Sequence, residues 1–333
     1  MFGIIGNGSW ATALAKMLTD NNNTIYWWMR SDASVTHLLQ KHNNAQYLTS
    51  VNFAADRIIP TTDIHALFQH CDTIVICVPS AFVLEVLQQL PKDAFKNKII
   101  VSAIKGIIPQ EFVLLNDYLA ASFHISLEQY VAITGPCHAE EVAQERLSYL
   151  TFSGLDNEAT TLAAQSFSTD YIRTTVNHDL WGAQYAAVLK NIYAVGAGIA
   201  HGMGYGDNFL SVYITNCYRE MFRFLEIQFE QVHPSNEIPD FHTSAYLGDL
   251  LVTAYSPHSR NRSFGTLLGK GYSVKAATTE MSMVAEGYFA VRGMMKIAAE
   301  LNIDMPIMQQ VHAMLWEQKL MSEAFKEIEC MLS

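Results

Sequence analysis

The sequence has little charge and few cysteines for its length. Charged residues fill 16% of the 333 positions, and acidic residues outnumber basic ones by 32 to 21. A formal net charge of −11 argues against nucleic acid as the main partner, because phosphate backbones are held by an excess of cations. It also means that an anionic ligand needs a local cluster of Lys or Arg. The cysteines, Cys71, Cys77, Cys137, Cys217 and Cys330, form no CxxC and no metal-ligand spacing. No metal is expected, and an odd, scattered set of thiols fits a reducing compartment. No apolar run approaches the roughly 18 residues that would span a bilayer, so no membrane insertion is expected. A first strand beginning at Phe2 leaves no room for a signal peptide, and the expected location is the cytoplasm. There is no internal repeat, low-complexity tract or long charge run.

What is present is apolar residue in quantity: half of the chain is hydrophobic, enough for a large core, and the length fits two domains. Met1–Ile5 reads as a short apolar strand. It runs into Gly6-Asn7-Gly8-Ser9-Trp10-Ala11 and an apolar helix over Thr12–Leu18. This is G-x-G-x-x-A between a strand and a helix. Gly6 permits the turn, Gly8 permits close approach of a pyrophosphate, and Ala11 lets the helix pack on the strand. The helix N-terminus then supplies amide donors to the anion. A lone glycine motif is also an ordinary structural turn, and the context is what favours dinucleotide binding.

The second strand, Thr24–Met29, ends at Arg30, where an acidic residue would grip the ribose 2′-hydroxyl of NAD. Asp32 lies two residues further on. An arginine at the strand end favours a 2′-phosphate, so NADP(H) is the favoured cofactor, with NAD(H) as the other candidate. Apolar strands follow at Thr73–Val78, ending at Pro79-Ser80, at Ile99–Ala103, ending at Lys105-Gly106, and at Tyr130–Thr134, ending at Gly135-Pro136-Cys137-His138-Ala139. Helical patterns over Ala81–Leu90 and Glu111–Ala121 lie between them. This alternation predicts a parallel sheet with crossovers. Ligands sit at the carboxyl ends of such strands, so Gly6, Ser80, Lys105 and Gly135 are expected in one crevice. His138-Ala139-Glu140-Glu141 lacks the H-E-x-x-H spacing and reads as a helix start with acids in the first turn. Leu147–Ser153 and Tyr171–Val176 read as final strands around a helix near Glu158–Phe167. The alternation stops at Asn177–Asp179, which places a domain boundary between residues 178 and 179.

Beyond it the chain is mainly helical, with helices expected over Leu180–Gly202, Leu210–Gln228, Met281–Leu301 and Ile307–Leu315, and a loop over Gln228–Thr243. Leu180–Asn208 stands out. Between Asp179 and Asp207 its one formal charge is Lys190, set among Ala186, Ala187, Val188, Ile192 and Ala194. Buried ammonium groups are nearly always paired; the plain alternative is a lysine that snorkels to the surface. Tyr246-Leu247-Gly248-Asp249-Leu250 supplies a candidate acidic partner. Ser256-Pro257-His258-Ser259-Arg260-Asn261-Arg262, read as a loop, joins two guanidinium groups to hydroxyl and amide donors, a set matched to phosphate.

Several segments together resemble the soluble bacterial NAD(P)-dependent glycerol-3-phosphate dehydrogenase family over nearly the whole chain. They are GNGSWATALA, the strand-end Arg30, NNAQYL, VPS, IKG, GPCHAEEVA, LKN, AGIAHGMGYGDN, YLGDL, SPHSRNRSFG, LGKG and VAEG. The resemblance implies a Rossmann-type N-terminal domain with a mainly parallel sheet (residues 1–178) and an all-α C-terminal domain (179–333). It implies reversible reduction of dihydroxyacetone phosphate to sn-glycerol 3-phosphate, supplying glycerophospholipid synthesis, in a homodimer. Lys190 aligns with the family's proton acceptor and Asp249 with a substrate-site acid that orients it. Lys105, Gly135, Cys137, Lys190, Asp249, Ser259, Arg260 and Asn261 align with substrate contacts. Ser9, Trp10, Arg30, Lys105, Ala139, Arg260 and Glu286 align with cofactor contacts, beside Gly6 and Gly8. Gly248 and Gly265 read as backbone supports. Ala11 stands where many members have glycine, and Cys137 where serine or threonine is usual; a thiol is the weaker donor. A ketopantoate-type reductase and a non-catalytic nucleotide sensor of the same fold are the alternatives.

Overall fold

The computed structural model describes residues 1–232, 238–281 and 285–333. By its internal contacts the chain forms two compact units. Residues 1–104 and 115–180 make one; residues 105–114 and 181–333 make the other. The sequence reading divides the chain once, between residues 178 and 179. Here the segment 105–114 groups with the C-terminal half instead. The reason is apolar: Ile107 and Leu114 belong to the core of the helical unit, and Ile107 lies so close to Gly293 that a Cβ added there would come within 2.9 Å of its Cγ2.

The first unit is built on an eight-stranded sheet in the order β3-β2-β1-β4-β5-β6-β7-β8. Its strands are β1 (Phe2–Ile5), β2 (Ile25–Trp28), β3 (Ile58–Thr61), β4 (Thr73–Ile76), β5 (Ile99–Ser102), β6 (Tyr130–Thr134), β7 (Ser148–Gly154) and β8 (Ile172–Asn177). All neighbours pair in parallel except β6 with β7. Strands β1, β4 and β5 read as short apolar runs because both faces are covered; Ile4, Ile5, Ile74, Val75, Ile100 and Val101 are fully buried. Strand β3, Ile-Ile-Pro-Thr, has no counterpart in the sequence reading. It is short, lies at the sheet edge and carries Pro60, the position that a strand proline tolerates. Helices α1 (Ser9–Asp20), α2 (Asp32–Lys41), α3 (Ile64–His70), α4 (Val83–Leu87), α5 (Leu115–Phe123), α6 (Ala139–Ala143) and α7 (Asn157–Phe167) connect the strands. Expected helix 111–121 starts only at Leu115, because residues 108–113 form a tight turn closed by a bridge between Ile108 and Val113.

The second unit is helical: α8 (Leu180–Gly202), α9 (Asp207–Val232), α10 (Asp249–Tyr255), α11 (Arg260–Gly269), α12 (Val274–Glu280), α13 (Glu286–Glu300), α14 (Pro306–Trp316) and α15 (Met321–Met331). Helix α9 runs through Val232, past the point where a loop is expected, so the first residues of Gln228–Thr243 are helical; residues 233–237 of that stretch lie outside the described ones. Residues 282–284, at the start of the expected Met281–Leu301 helix and including Val284 of VAEG, also lie outside them.

Helices α8 and α11 meet backbone to backbone. A Cβ on Gly198 would lie 2.1 Å from Arg262 O, one on Gly202 2.4 Å from Thr266 O, one on Gly265 2.0 Å from Val195 O and one on Gly269 2.3 Å from Ile199 O. The four glycines, two per helix at four-residue spacing, fall on the facing sides of the two helices. Gly265 is thus a backbone support by close approach. Gly248 has an ordinary helical conformation (φ −61°) and closes the π-helical turn Ser244–Gly248 that leads into α10. Deeper in this unit Glu220 of α9 is buried. Its carboxylate accepts from Ile307 N at 2.8 Å, Met308 N at 2.9 Å and Tyr193 Oη at 3.0 Å. It thereby satisfies the orphan amides at the start of α14. Burial raises its pKa to about 7, against the pull of those donors.

Candidate active site

In the sheet unit, β1 feeds directly into the Gly6–Gly8 turn and α1. Gly6 has φ +117°, and a Cβ there would lie 2.2 Å from Cys77 O, so no other residue fits. Gly8 is the residue before α1. Nothing lies within 4 Å of where its Cβ would be, no side chain caps the helix, and its first turn holds no acid. An uncapped N-terminus of a buried 12-residue helix beside open space at a glycine is suited to a phosphate group. Ser9 is buried and Trp10 half-buried in the first turn. These observations fit a dinucleotide.

Arg30 follows β2 and is exposed. Ser31 caps α2 by accepting from Ser34 N at 3.3 Å. Asp32, the nearby acid, accepts from Thr62 Oγ1 at 2.9 Å. Arg30 and Asp32 are both exposed just beyond the strand end. At the end of β6, Gly135 has φ +111°, and a Cβ there would come within 2.9 Å of Tyr149 O. Cys137 is half-buried, Ala139 buried, and α6 begins at Ala139 with Glu140 and Glu141 in its first turn, as the sequence indicates. The cysteines form no disulfide.

The helical unit holds the charged cluster. Lys190 on α8 is 5% exposed and Asp249 at the start of α10 is 1% exposed. Lys190 Nζ donates to Asp249 Oδ1. Lys105 Nζ lies 3.5 Å from the other oxygen, Asp249 Oδ2. One buried carboxylate is thus shared by two ammonium groups. Burial lowers the Lys190 pKa to about 7; the Asp249 charge opposes that shift and the Lys105 charge adds to it. Desolvation therefore outweighs the acidic partner. Lys105 was expected in the crevice of the sheet. Its ion pair with Asp249 lies within the helical unit, with which residues 105–114 group.

An amide relay not singled out in the sequence supports this cluster. Asn191 Nδ2 donates to Lys105 O at 3.0 Å, and Asn191 Oδ1 accepts from Asn261 Nδ2 at 2.9 Å. Asn261 Oδ1 in turn accepts from Gly287 N at 2.9 Å. Close approach of the backbones makes this reach feasible: a Cβ on Gly287 would lie 2.4 Å from Asn191 O. The available signal for Asn191 was its polarity beside Lys190 in an otherwise apolar helix. Ser259, Arg260 and Asn261, expected in a loop, form the cap and first turn of α11. Ser259 is buried and accepts from Arg262 N at 3.3 Å as the N-cap. The loop reading failed because Ser259 is itself the helix start signal. Arg260 is half-buried, and Glu286 opens α13.

Family models match both halves of the chain: NAD-dependent glycerol-3-phosphate dehydrogenase N-terminus over residues 2–160, and the C-terminus of the same enzyme over residues 179–326. The chain is 33% identical to the glycerol-3-phosphate dehydrogenase [NAD(P)+] of Lactiplantibacillus plantarum over 98% of its own length and 95% of that protein. Among solved structures it is similar to glycerol-3-phosphate dehydrogenase from Coxiella burnetii, with a TM-score of 0.89 and 26% identity over 98% of each chain. A ketopantoate reductase from Ralstonia eutropha shares the fold alone, with a TM-score of 0.59 and 14% identity over 94% of this chain and 96% of that one. With the glycine turn of the sheet unit and the Lys190–Asp249 pair of the helical unit each lying inside its matched segment, the chain belongs to the NAD-dependent glycerol-3-phosphate dehydrogenase family.

Proposed function

We propose that this protein catalyses the reversible, NAD(P)H-dependent reduction of dihydroxyacetone phosphate to sn-glycerol 3-phosphate. The observation that carries the reading is the buried Lys190–Asp249–Lys105 cluster in a chain of this family. In oxidation, neutral Lys190 accepts the proton of the secondary hydroxyl; in reduction, its ammonium form donates one to the carbonyl oxygen. A pKa of about 7 lets both forms be populated at neutral pH, as acid–base catalysis in two directions requires. Asp249 orients the Lys190 nitrogen. Lys105 contributes a second positive charge where negative charge develops on the substrate oxygen. Arg260, with Ser259 and Asn261, binds the substrate phosphate at the start of α11, where helix amides and guanidinium act on the same anion. Gly135 offers backbone contact, and Cys137 at most a weak one.

Gly6, Gly8, Ser9, Trp10, Arg30 and Ala139 are the proposed cofactor contacts on the sheet unit, with Lys105, Arg260 and Glu286 as further contacts. When bound, the nicotinamide donates or accepts the hydride. Arg30 makes NADP(H) the favoured cofactor, through its match to a 2′-phosphate. The proposed setting is the cytoplasm and phospholipid precursor supply, and the proposed assembly is a homodimer, with a solution mass twice the 37.3 kDa of the chain. Among the described residues no helix is long and apolar enough to cross a membrane.

Mixing the protein with NADPH and dihydroxyacetone phosphate, and following loss of the reduced cofactor's absorbance, tests the activity. Turnover with this substrate and none with ketopantoate is expected; the reverse would establish the alternative reductase, and turnover with neither a non-catalytic sensor. For the cofactor, Arg30→Ala should raise the Michaelis constant for NADPH far more than that for NADH. Equal effects on both would remove Arg30 from the 2′-phosphate.

A further inference from the structure

We infer that Asn44, in the irregular segment between α2 and β3, is a positioning residue that sets the Gly6–Gly8 turn for the cofactor's pyrophosphate. The inference rests on the proposed dinucleotide binding and adds to it a residue outside the glycine motif. All three carbonyls of the turn are tied to neighbouring groups. Gly6 O accepts from the Trp27 indole Nε1 at 2.7 Å. Asn7 O accepts from Asn44 Nδ2 at 2.9 Å. Gly8 O accepts from both Thr12 N and Thr12 Oγ1 at 2.9 Å. Peptide units are planar and trans, so each fixed C=O fixes the following N–H in the opposite direction. Tying Gly6, Asn7 and Gly8 carbonyls therefore aims the amides of Asn7, Gly8 and Ser9 away from these anchors. Oriented amides of this kind form an anion cradle.

Asn44 serves the turn with its amide nitrogen and its own segment with its amide oxygen. Its second Nδ2 hydrogen goes to Thr12 Oγ1 at 2.8 Å, which joins the Asn7 and Gly8 anchors into one network. Its Oδ1 accepts from Gln46 N at 3.0 Å and Tyr47 N at 3.2 Å. Two donors and two acceptor sites are all that an amide side chain has, and the residue is 5% exposed. It has nothing left with which to touch a ligand, so its effect on binding goes through the turn.

The segment bearing Asn44 is braced by other bonds as well. Asn43 Nδ2 donates to Thr49 O at 2.8 Å, and Phe53 N to His42 O at 2.8 Å. Phe53 also packs edge-on against Trp27, with ring centroids 5.4 Å apart. The bond from Asn44 to Asn7 O thus fixes the turn more than it fixes the segment. A turn with two glycines otherwise samples many conformations, and holding one of them in advance lowers the cost of binding.

The test compares a ligand that needs the cradle with one that does not. NADPH carries the pyrophosphate; adenosine 2′-monophosphate carries only the part read by the strand-end arginine. Asn44→Leu keeps the approximate size and removes every hydrogen bond. NADPH should bind about tenfold more weakly, as for loss of one or two neutral hydrogen bonds, while adenosine 2′-monophosphate changes by less than about twofold. At saturating NADPH the turnover number and the Michaelis constant for dihydroxyacetone phosphate should stay near wild type. Thr12→Val, which removes the hydroxyl between the two anchors and keeps the shape, should show the same split at smaller size. It decides the matter if Asn44→Leu does not fold. Unchanged NADPH affinity in a folded variant overturns the inference, and so does an equal loss for both ligands, which would mean a general structural role. Failure of wild type to bind NADPH would instead remove the dinucleotide reading and this inference with it.

Discussion

Lys190 is the proposed acid–base group, and its environment works against its charge. Burial lowers its pKa to about 7 while Asp249 pulls the other way. Below that pH the lysine is an ammonium in folded and unfolded chains alike, and the cost of burying it is fully present. Between about 7 and the ordinary lysine value the unfolded chain binds the extra proton, so this group makes stability rise with pH through that window. Catalysis follows the same titration. Oxidation of glycerol 3-phosphate, which needs the neutral amine, should rise with pH through a limb near 7, and reduction should fall through it. Lys190→Met retains the stem and removes the nitrogen; turnover should drop by about 10²–10⁴, with NADPH affinity little changed. Lys190→Arg should fail nearly as badly, since a guanidinium stays protonated. Near-normal turnover and an unaltered pH limb in folded Lys190→Met would return this lysine to a packing role. The lysine was conspicuous in the sequence, since an isolated charge in a long apolar helix needs a partner. The balance that sets its pKa was not, because it depends on how far Asp249 and Lys105 approach it, and those distances belong to the fold.

At the scale of elements, the sequence shows most clearly what is periodic and apolar. β6 matches its expected bounds residue for residue, and α8 likewise, because continuous burial leaves a continuous apolar run. β3 escaped because Pro60 interrupts its short apolar run, and α10 because a seven-residue helix carries too few positions to show a period. α11 was mistaken for a loop because the polar run Ser259–Arg262 hid its N-cap and first turn. What no periodicity reveals is how closely α8 and α11 approach. Their glycines set the crossing of the helix that bears Lys190 with the helix that bears Arg260. Gly265→Ala would place a methyl 2.0 Å from Val195 O, and backbone cannot yield as a side chain does. It should cost about 1–3 kcal/mol of stability and raise the Michaelis constant for dihydroxyacetone phosphate. Gly206→Ala, where nothing lies within 4 Å of the added carbon, is the control and should be near neutral in both. Equal behaviour of the two variants in denaturant titration and in substrate kinetics would mean that the crossing does not set the site.

At the scale of the molecule, two units with separate cores divide the labour. The net charge of −11 gives no general attraction for anionic ligands, so the proposed binding of phosphorylated substrate and cofactor falls to local donors: the glycine turn and Arg30 in one unit, α11 with Arg260 in the other. Lys105 comes just after the end of β5. That residue belongs to the helical unit because a ten-residue excursion, 105–114, leaves the sheet and returns. Sequence order alone could not reveal this, since the excursion lies between β5 and α5 with the same apolar character as its surroundings. The division makes a prediction that hydrogen exchange can read segment by segment. A ligand stabilises what it binds by mass action, about 2.7 kcal/mol at a hundredfold excess over its dissociation constant, and local opening is suppressed first where contacts form. NADPH alone should slow exchange most in the Gly6–Gly8 turn, the first turns of α1 and the end of β2. Glycerol 3-phosphate should act most on the start of α11 and on α10 around Asp249. If NADPH instead left β1 and α1 unchanged, the glycine turn would not be its anchor. If glycerol 3-phosphate left residues 259–262 unprotected, Arg260 would lose its claim on the phosphate, and the charged cluster would have to bind the substrate without it.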